Sequence, residues 1–311
     1  MYIVDSHCDS IEKAEAGVFG IVNPYNFSRR HPQLQFVALF CGDEGVTPPE
    51  ANALIHRYIA RFRLAMEEEG ERIVPVTSYS GIERAFAEGK HGALLTLESG
   101  TGLMGDRAIL RQCYDMGIRV VGLTWLSNDL AMSNRIAEGE ADTGLTALGR
   151  EMVEEGNGLG MIFDVSHGSD RTFWDLMELA EKPPLATHSN FRAVCPHSRN
   201  LTDEMAVALF KSGGMVGLNL CVKFISEDEV GRTAEGLFRH LDHGLSLGGE
   251  EHMGFGCDID GIGGVYPSPL SEGESIHDRL IELMLRENYS ESLVRRIAGG
   301  NYLAYLKRWL G

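Results

Sequence analysis

Eight short runs rich in Val, Ile, Leu and Phe recur along the chain: YIVDSH, LQFVALF, GALLTLES, RVVGLTW, GMIFDVSH, PLATHS, GMVGLNLCV and MGFGCDID. Near-continuous apolar runs of this length suit strands buried on both faces, as in a parallel sheet covered by helices. The segments between them often carry helical periodicity. PPEANALIHRYIARFRLAMEEEG, for example, opens with Pro, repeats apolar residues three and four apart, and closes on Gly. Eight strands alternating with helices predict a (β/α)8 TIM-type barrel with C-terminal helices, and 311 residues is close to the usual size for one. No linker or composition break interrupts the chain, so a single domain over residues 1–311 is expected. The competing architecture is a doubly wound open sheet. Its nucleotide-binding versions lose support, because no GxGxxG follows the first strand and neither GxxxxGKS nor GxxxxGKT occurs.

A formal net charge of -17 repels polyanions and excludes a nucleic-acid partner, while it favours a cation. No run of 18 apolar residues and no signal-peptide pattern appears, so no membrane association and a cytoplasmic location are expected. The six cysteines lack CxxC spacing and read as buried free thiols.

The apolar runs end in metal-competent side chains. His7 and Asp9 follow the first, Glu98 the third, His167 the fifth and His188 the sixth, and Asp258 lies in the eighth. In a barrel of parallel strands these ends converge on one rim. Side chains alternate along a strand, so His7 and Asp9 should face one centre while Cys8 points away. Imidazoles mixed with carboxylates suit Zn2+ or a similar divalent ion. Three histidines with two or three carboxylates exceed the needs of one catalytic zinc, so a two-metal centre is expected, with Glu98 able to bridge. Taken singly, each residue has a plainer reading as a helix cap, a loop carboxylate or a satisfied core histidine. Their joint placement at the ends of four strands argues for metal. His240 and His243 read as a partly exposed helix face, and the other histidines, His277 among them, stand in no motif.

In this order the segments resemble the membrane dipeptidase (renal dipeptidase) family of metallopeptidases, amidohydrolase-like (β/α)8 barrels. DSHCD resembles the family's DGHND, TLESG its LEG turn and DVSH its DLSH. THSNFRAVCPHSRNLTDE is similar to SHSNARAVxxHxRNxxD, GFGCDIDG to GSDFDG, and IAGGNYLAYL to GGNxLR. The resemblance implies two divalent metal ions, zinc above all, with His7 and Asp9 on the first, Glu98 bridging, and His167 and His188 on the second. It implies Asp258 as acid/base and Arg199 as the contact for the substrate carboxylate, a partner that a planar bidentate donor suits. It also implies a dipeptide substrate, with a D-residue accepted at the carboxyl side, and it allows a homodimer.

One departure stands out. Where family members that cleave dipeptides often carry LTH after the fourth strand, this chain has LTW, placing Trp125 there. An indole keeps one N–H donor and cannot become cationic. Two alternatives therefore accompany the dipeptidase reading: a hydrolase of another amide, lactam or ester with a pocket altered at Trp125, and a non-catalytic, metal-containing barrel that binds peptides. An intact Asp258 speaks against the second.

Overall fold

The computed structural model describes residues 1–15, 26–271 and 274–311. Its strands are β1 (Ile3–Cys8), β2 (Gln33–Phe40), β3 (Ile73–Pro75), β4 (His91–Glu98), β5 (Ile118–Gly122), β6 (Ile162–Asp164), β7 (Leu185–Ala186), β8 (Met215–Leu218) and β9 (Met253–Phe255). All pair in parallel. β2 joins β1 to β4, β4 to β8 follow in order, and β9 returns to β1, so eight strands close a barrel. These eight are the apolar runs of the sequence. β3 was not expected. It pairs Ile73–Pro75 with His91–Ala93, below the point where β5 joins β4 at Leu95. Three residues ending in proline are too few to register as an apolar run.

The helix expected from PPEAN onward spans Pro48–Glu68, and its buried face (Ala51, Ile55, Tyr58, Ile59, Phe62, Ala65) follows the three-and-four spacing. The Glu50 carboxylate starts it by accepting from Thr47 N at 2.9 Å and Thr47 Oγ1 at 2.6 Å. No helix among the described residues is long and apolar enough to cross a membrane.

Val4, Leu34, Phe36, Leu94, Val120, Ile162, Leu185 and Met215 pack together with Tyr302, which is fully buried. The Tyr302 hydroxyl donates to Ser6 Oγ at 2.7 Å, and Ser6 Oγ donates to Thr187 O at 2.5 Å. The C-terminal segment is more divided than the two helices expected. It runs through Ile276–Arg286, Glu291–Arg295, a π-turn at Arg296–Gly300 and Asn301–Trp309. A side chain at Gly299 would meet Tyr2 O at 2.7 Å and Val4 N at 2.9 Å, so glycine is required where this turn meets β1.

Candidate active site

The rim is prepared by an irregularity in β1. Ser6 bonds Thr187 across the barrel, whereas the Asp5 carboxylate faces the opposite way and takes His277 Nε2 at 2.7 Å. The β1–β2 register then shifts between Asp5 and Cys8. His7 and Asp9 meet at the centre while Cys8 is buried in the core with Ile11 and Val37. The expected alternation of His7, Cys8 and Asp9 holds, with its phase reset by this bulge.

The structure brings His7, Asp9, Glu98, His167 and His188 together, all buried. Glu98 Oε2 lies 3.3 Å from His7 Nε2, which in turn lies 3.6 Å from Asp9 Oδ2. Glu98 Oε1 lies 2.9 Å from His167 Nε2 and 3.5 Å from His188 Nε2, and those two nitrogens are 2.9 Å apart. One carboxylate therefore turns a different oxygen to each of two groups.

This set fits divalent metal. His7 Nε2 and Asp9 Oδ1 are buried without a hydrogen-bond partner, a costly state for a polar atom unless a ligand satisfies it. Nitrogen and oxygen donors held about 2 Å from one tetrahedral ion sit roughly 3.3 Å from each other, and the separations above cluster around that spacing. Charge agrees. Burial and the neighbouring Glu98 push the Asp9 carboxyl well above the usual range. Burial opposes charge on His7 as well, yet the Glu98 and Asp9 carboxylates outweigh it and hold that imidazole well above its ordinary value. Burial, then the Arg199 charge, pull His167 well below its own. Two crowded carboxylates beside a neutral imidazole call for added positive charge.

A second layer holds these donors, and nothing in the sequence reading marked it. Asp164 accepts from Ser166 N at 2.9 Å, Thr187 N at 3.0 Å and the Thr187 hydroxyl. With its one proton given to Asp164, Thr187 Oγ1 accepts from His188 Nδ1 at 2.8 Å. That fixes the tautomer and leaves Nε2 unprotonated toward Glu98, the state a metal ligand needs. Below His7, Asp5 accepts from His7 N, Cys257 N and His277. Asn219 Nδ2 donates to Asp258 Oδ2 at 2.9 Å. Thr187→Val should keep the fold and weaken metal binding by about 10- to 100-fold. A competition titration against a chelator reads this, and unchanged affinity would remove Thr187 from the ligand-orienting layer.

Above the cluster opens a cavity of about 700 Å3 whose lining includes Asp258, Arg199 and Trp125. Asp258 has φ 59°, left-handed backbone uncommon for a non-glycine residue, and its Oδ1 stands 4.0 Å from His7 Nε2. Arg199 is buried. Its Nη2 donates to His188 O at 3.2 Å, while its Nε has no partner. The Trp125 ring lies 5.7 Å from that of His167 and 5.0 Å from that of Phe40. Of the other histidines, His197 lines the cavity, whereas His240 is buried between Phe191 N and Ile225 O and His243 pairs with Asp203. All six cysteines are free, and all but the half-buried Cys221 are buried.

Comparison with known proteins places the chain in a family. An uncharacterized protein in the pqqA 5' region of Klebsiella pneumoniae is 30% identical over 267 residues, covering 84% of this chain and 97% of that protein. Dipeptidase tcpJ of Claviceps purpurea is 29% identical over 244 residues, 78% of this chain, which spans only 56% of that relative's length. Among solved structures, a metallo peptidase from Rhodobacter sphaeroides, liganded with a phosphinate mimic of the dipeptide L-Ala-D-Ala, superposes with a TM-score of 0.89 at 23% identity, covering 99% of each chain. A metallo peptidase described as the dipeptidase AC superposes at 0.87 and 25% identity, covering 100% of this chain and 99% of its own. The membrane dipeptidase family model, peptidase family M19, matches residues 2–308, and the chain belongs to that family of metal-dependent hydrolases.

Proposed function

We propose that residues 1–311 form one domain that hydrolyses the amide bond of dipeptides at a binuclear centre, with His7 and Asp9 on one Zn2+ ion, His167 and His188 on the other, and Glu98 between them. The observation that carries this reading is the division of Glu98, Oε2 toward His7 and Oε1 toward His167 and His188. Ions held there would supply Lewis-acid polarisation of the amide carbonyl and activation of water at neutral pH. The chain's own residues do the rest. Arg199, buried with its Nε unpartnered at the cavity wall, takes the terminal carboxylate of the substrate. Asp258, held by Asn219 and bordering the same cavity, accepts the proton of the attacking water and delivers it to the leaving amine. A D-residue at the carboxyl side is the stereochemistry we assign, in keeping with the L-Ala-D-Ala mimic held by the Rhodobacter sphaeroides relative.

The test compares a dipeptide with its C-terminal amide. The free acid should be cleaved about ten- to a hundredfold faster in kcat/KM, the worth of a desolvated arginine–carboxylate contact, and Arg199→Ala should collapse the difference. Equal rates on the pair, unaltered in the variant, would instead favour the amide or ester hydrolase that Trp125 in the cavity wall allows.

A further inference from the structure

The cavity carries more positive charge than a terminal carboxylate needs. Besides Arg199, its wall holds Arg135 and Lys223, both exposed, in a chain whose net charge is -17. Among the described residues neither has an ion-pair partner. Arg135 is nonetheless positioned. Its Cζ lies 3.9 Å above the Trp125 ring, and a guanidinium stacked on an indole keeps its N–H edges free for a carboxylate in its own plane. Arg199 in turn sits 5.4 Å over Phe224, whose ring is 4.6 Å from that of His197. His197 links the three cations: burial, then Arg199, Arg135 and Lys223, all hold its imidazole below the ordinary value. Arg199, Arg135 and Lys223 thus neighbour His197 and the Trp125 and Phe224 rings in a lining that also carries Lys13 and the carboxylates Asp9, Glu12, Glu98, Asp258 and Asp260.

Resting on the dipeptidase reading above, we infer that Arg135 and Lys223 form a second anion subsite beside Arg199, so that the favoured substrates are dipeptides whose carboxyl-terminal residue is Asp or Glu. Arg199 takes the main-chain carboxylate, and the side-chain carboxylate reaches the edge of Arg135 with Lys223 alongside. The methylenes between them lie on His197 and Phe224. Trp125 therefore serves as the platform that presents Arg135, a role that a smaller, titratable ring would fill less well.

The experiment compares Ala-Glu with Ala-Gln in whichever stereochemistry the metal-loaded protein accepts, with Glu-Ala as the reversed control. The wild type should prefer Ala-Glu over Ala-Gln by about tenfold or more in kcat/KM, chiefly through KM, the scale of one charge-assisted contact. The ratio should shrink as ionic strength rises. Arg135→Ala and Lys223→Ala should each lower it, the double variant should bring it near one, and Arg135→Lys should restore part of it. A wild-type ratio near one, a ratio indifferent to the double variant, or a preference for Glu-Ala would overturn the subsite and leave the dipeptidase reading intact. Failure to cleave any of the three peptides would overturn both.

Discussion

Replacing Asp258 with asparagine is expected to leave metal content at the wild-type level while kcat falls by about a hundredfold or more, the scale of losing a general acid/base. Asparagine preserves the shape of the side chain and its contact with Asn219, but an amide cannot carry the proton between water and amine. Metal should survive because Asp258 stands farther from His7 Nε2 than the other two carboxylates do, 4.0 Å for its Oδ1 against 3.3 Å for Glu98 Oε2 and 3.6 Å for Asp9 Oδ2. Elemental analysis and turnover measured on the same preparation decide the matter. If an ion leaves together with the activity, Asp258 is a ligand and the proton must travel by another group.

Removing the carboxylate that faces both groups should do more damage. Wild-type protein loaded with Zn2+ is expected to hold two ions per chain, and Glu98→Ala fewer than one, because neither His7 with Asp9 nor His167 with His188 retains a shared anionic partner. Activity should drop by about a thousandfold or more, because in the proposed reaction both ions would contribute to the same step. Chelation should lower the melting temperature of the wild type, as loss of a ligand bound only to the folded state must, and should scarcely move that of Glu98→Ala. A variant that keeps one ion at full occupancy would show that Glu98 serves a single metal.

The barrel strands and the five proposed ligands were legible because each depends on local sequence, an apolar run and the polar residue that ends it. What stayed hidden depends on pairs distant in the chain. Asp164 and Thr187 are 23 residues apart, Asn219 and Asp258 are 39 apart, and Asp5 and His277 are 272 apart. In the sequence, Thr187 is an ordinary strand residue and His277 an ordinary helix residue; each gains its role only when another strand or helix arrives beside it. The bulge in β1 was equally invisible. Alternation placed His7 and Asp9 together, but strict alternation would also have put Asp5 on their side, where the structure turns it toward His277. Arg135 lies in the long connection between β5 and β6, where no periodicity distinguishes an arginine that stacks on Trp125 from one that merely faces solvent.

The bond between Tyr302 and Ser6 joins residues 296 positions apart, and Gly299 abuts Tyr2 and Val4 nearby. Contacts of such separation carry a large loop-closure cost before they return any stability, so they belong to the slow end of folding. β1 is the strand they anchor, and it bears His7 and leads directly into Asp9. While the chain is being synthesised, Glu98, His167 and His188 emerge long before the segment that fixes β1 from below. The two halves of the proposed metal site would therefore differ in history: the residues of one are made early, the other is secured only when the barrel floor is laid, and complete assembly of the site would report that the helix bearing Tyr302 has docked.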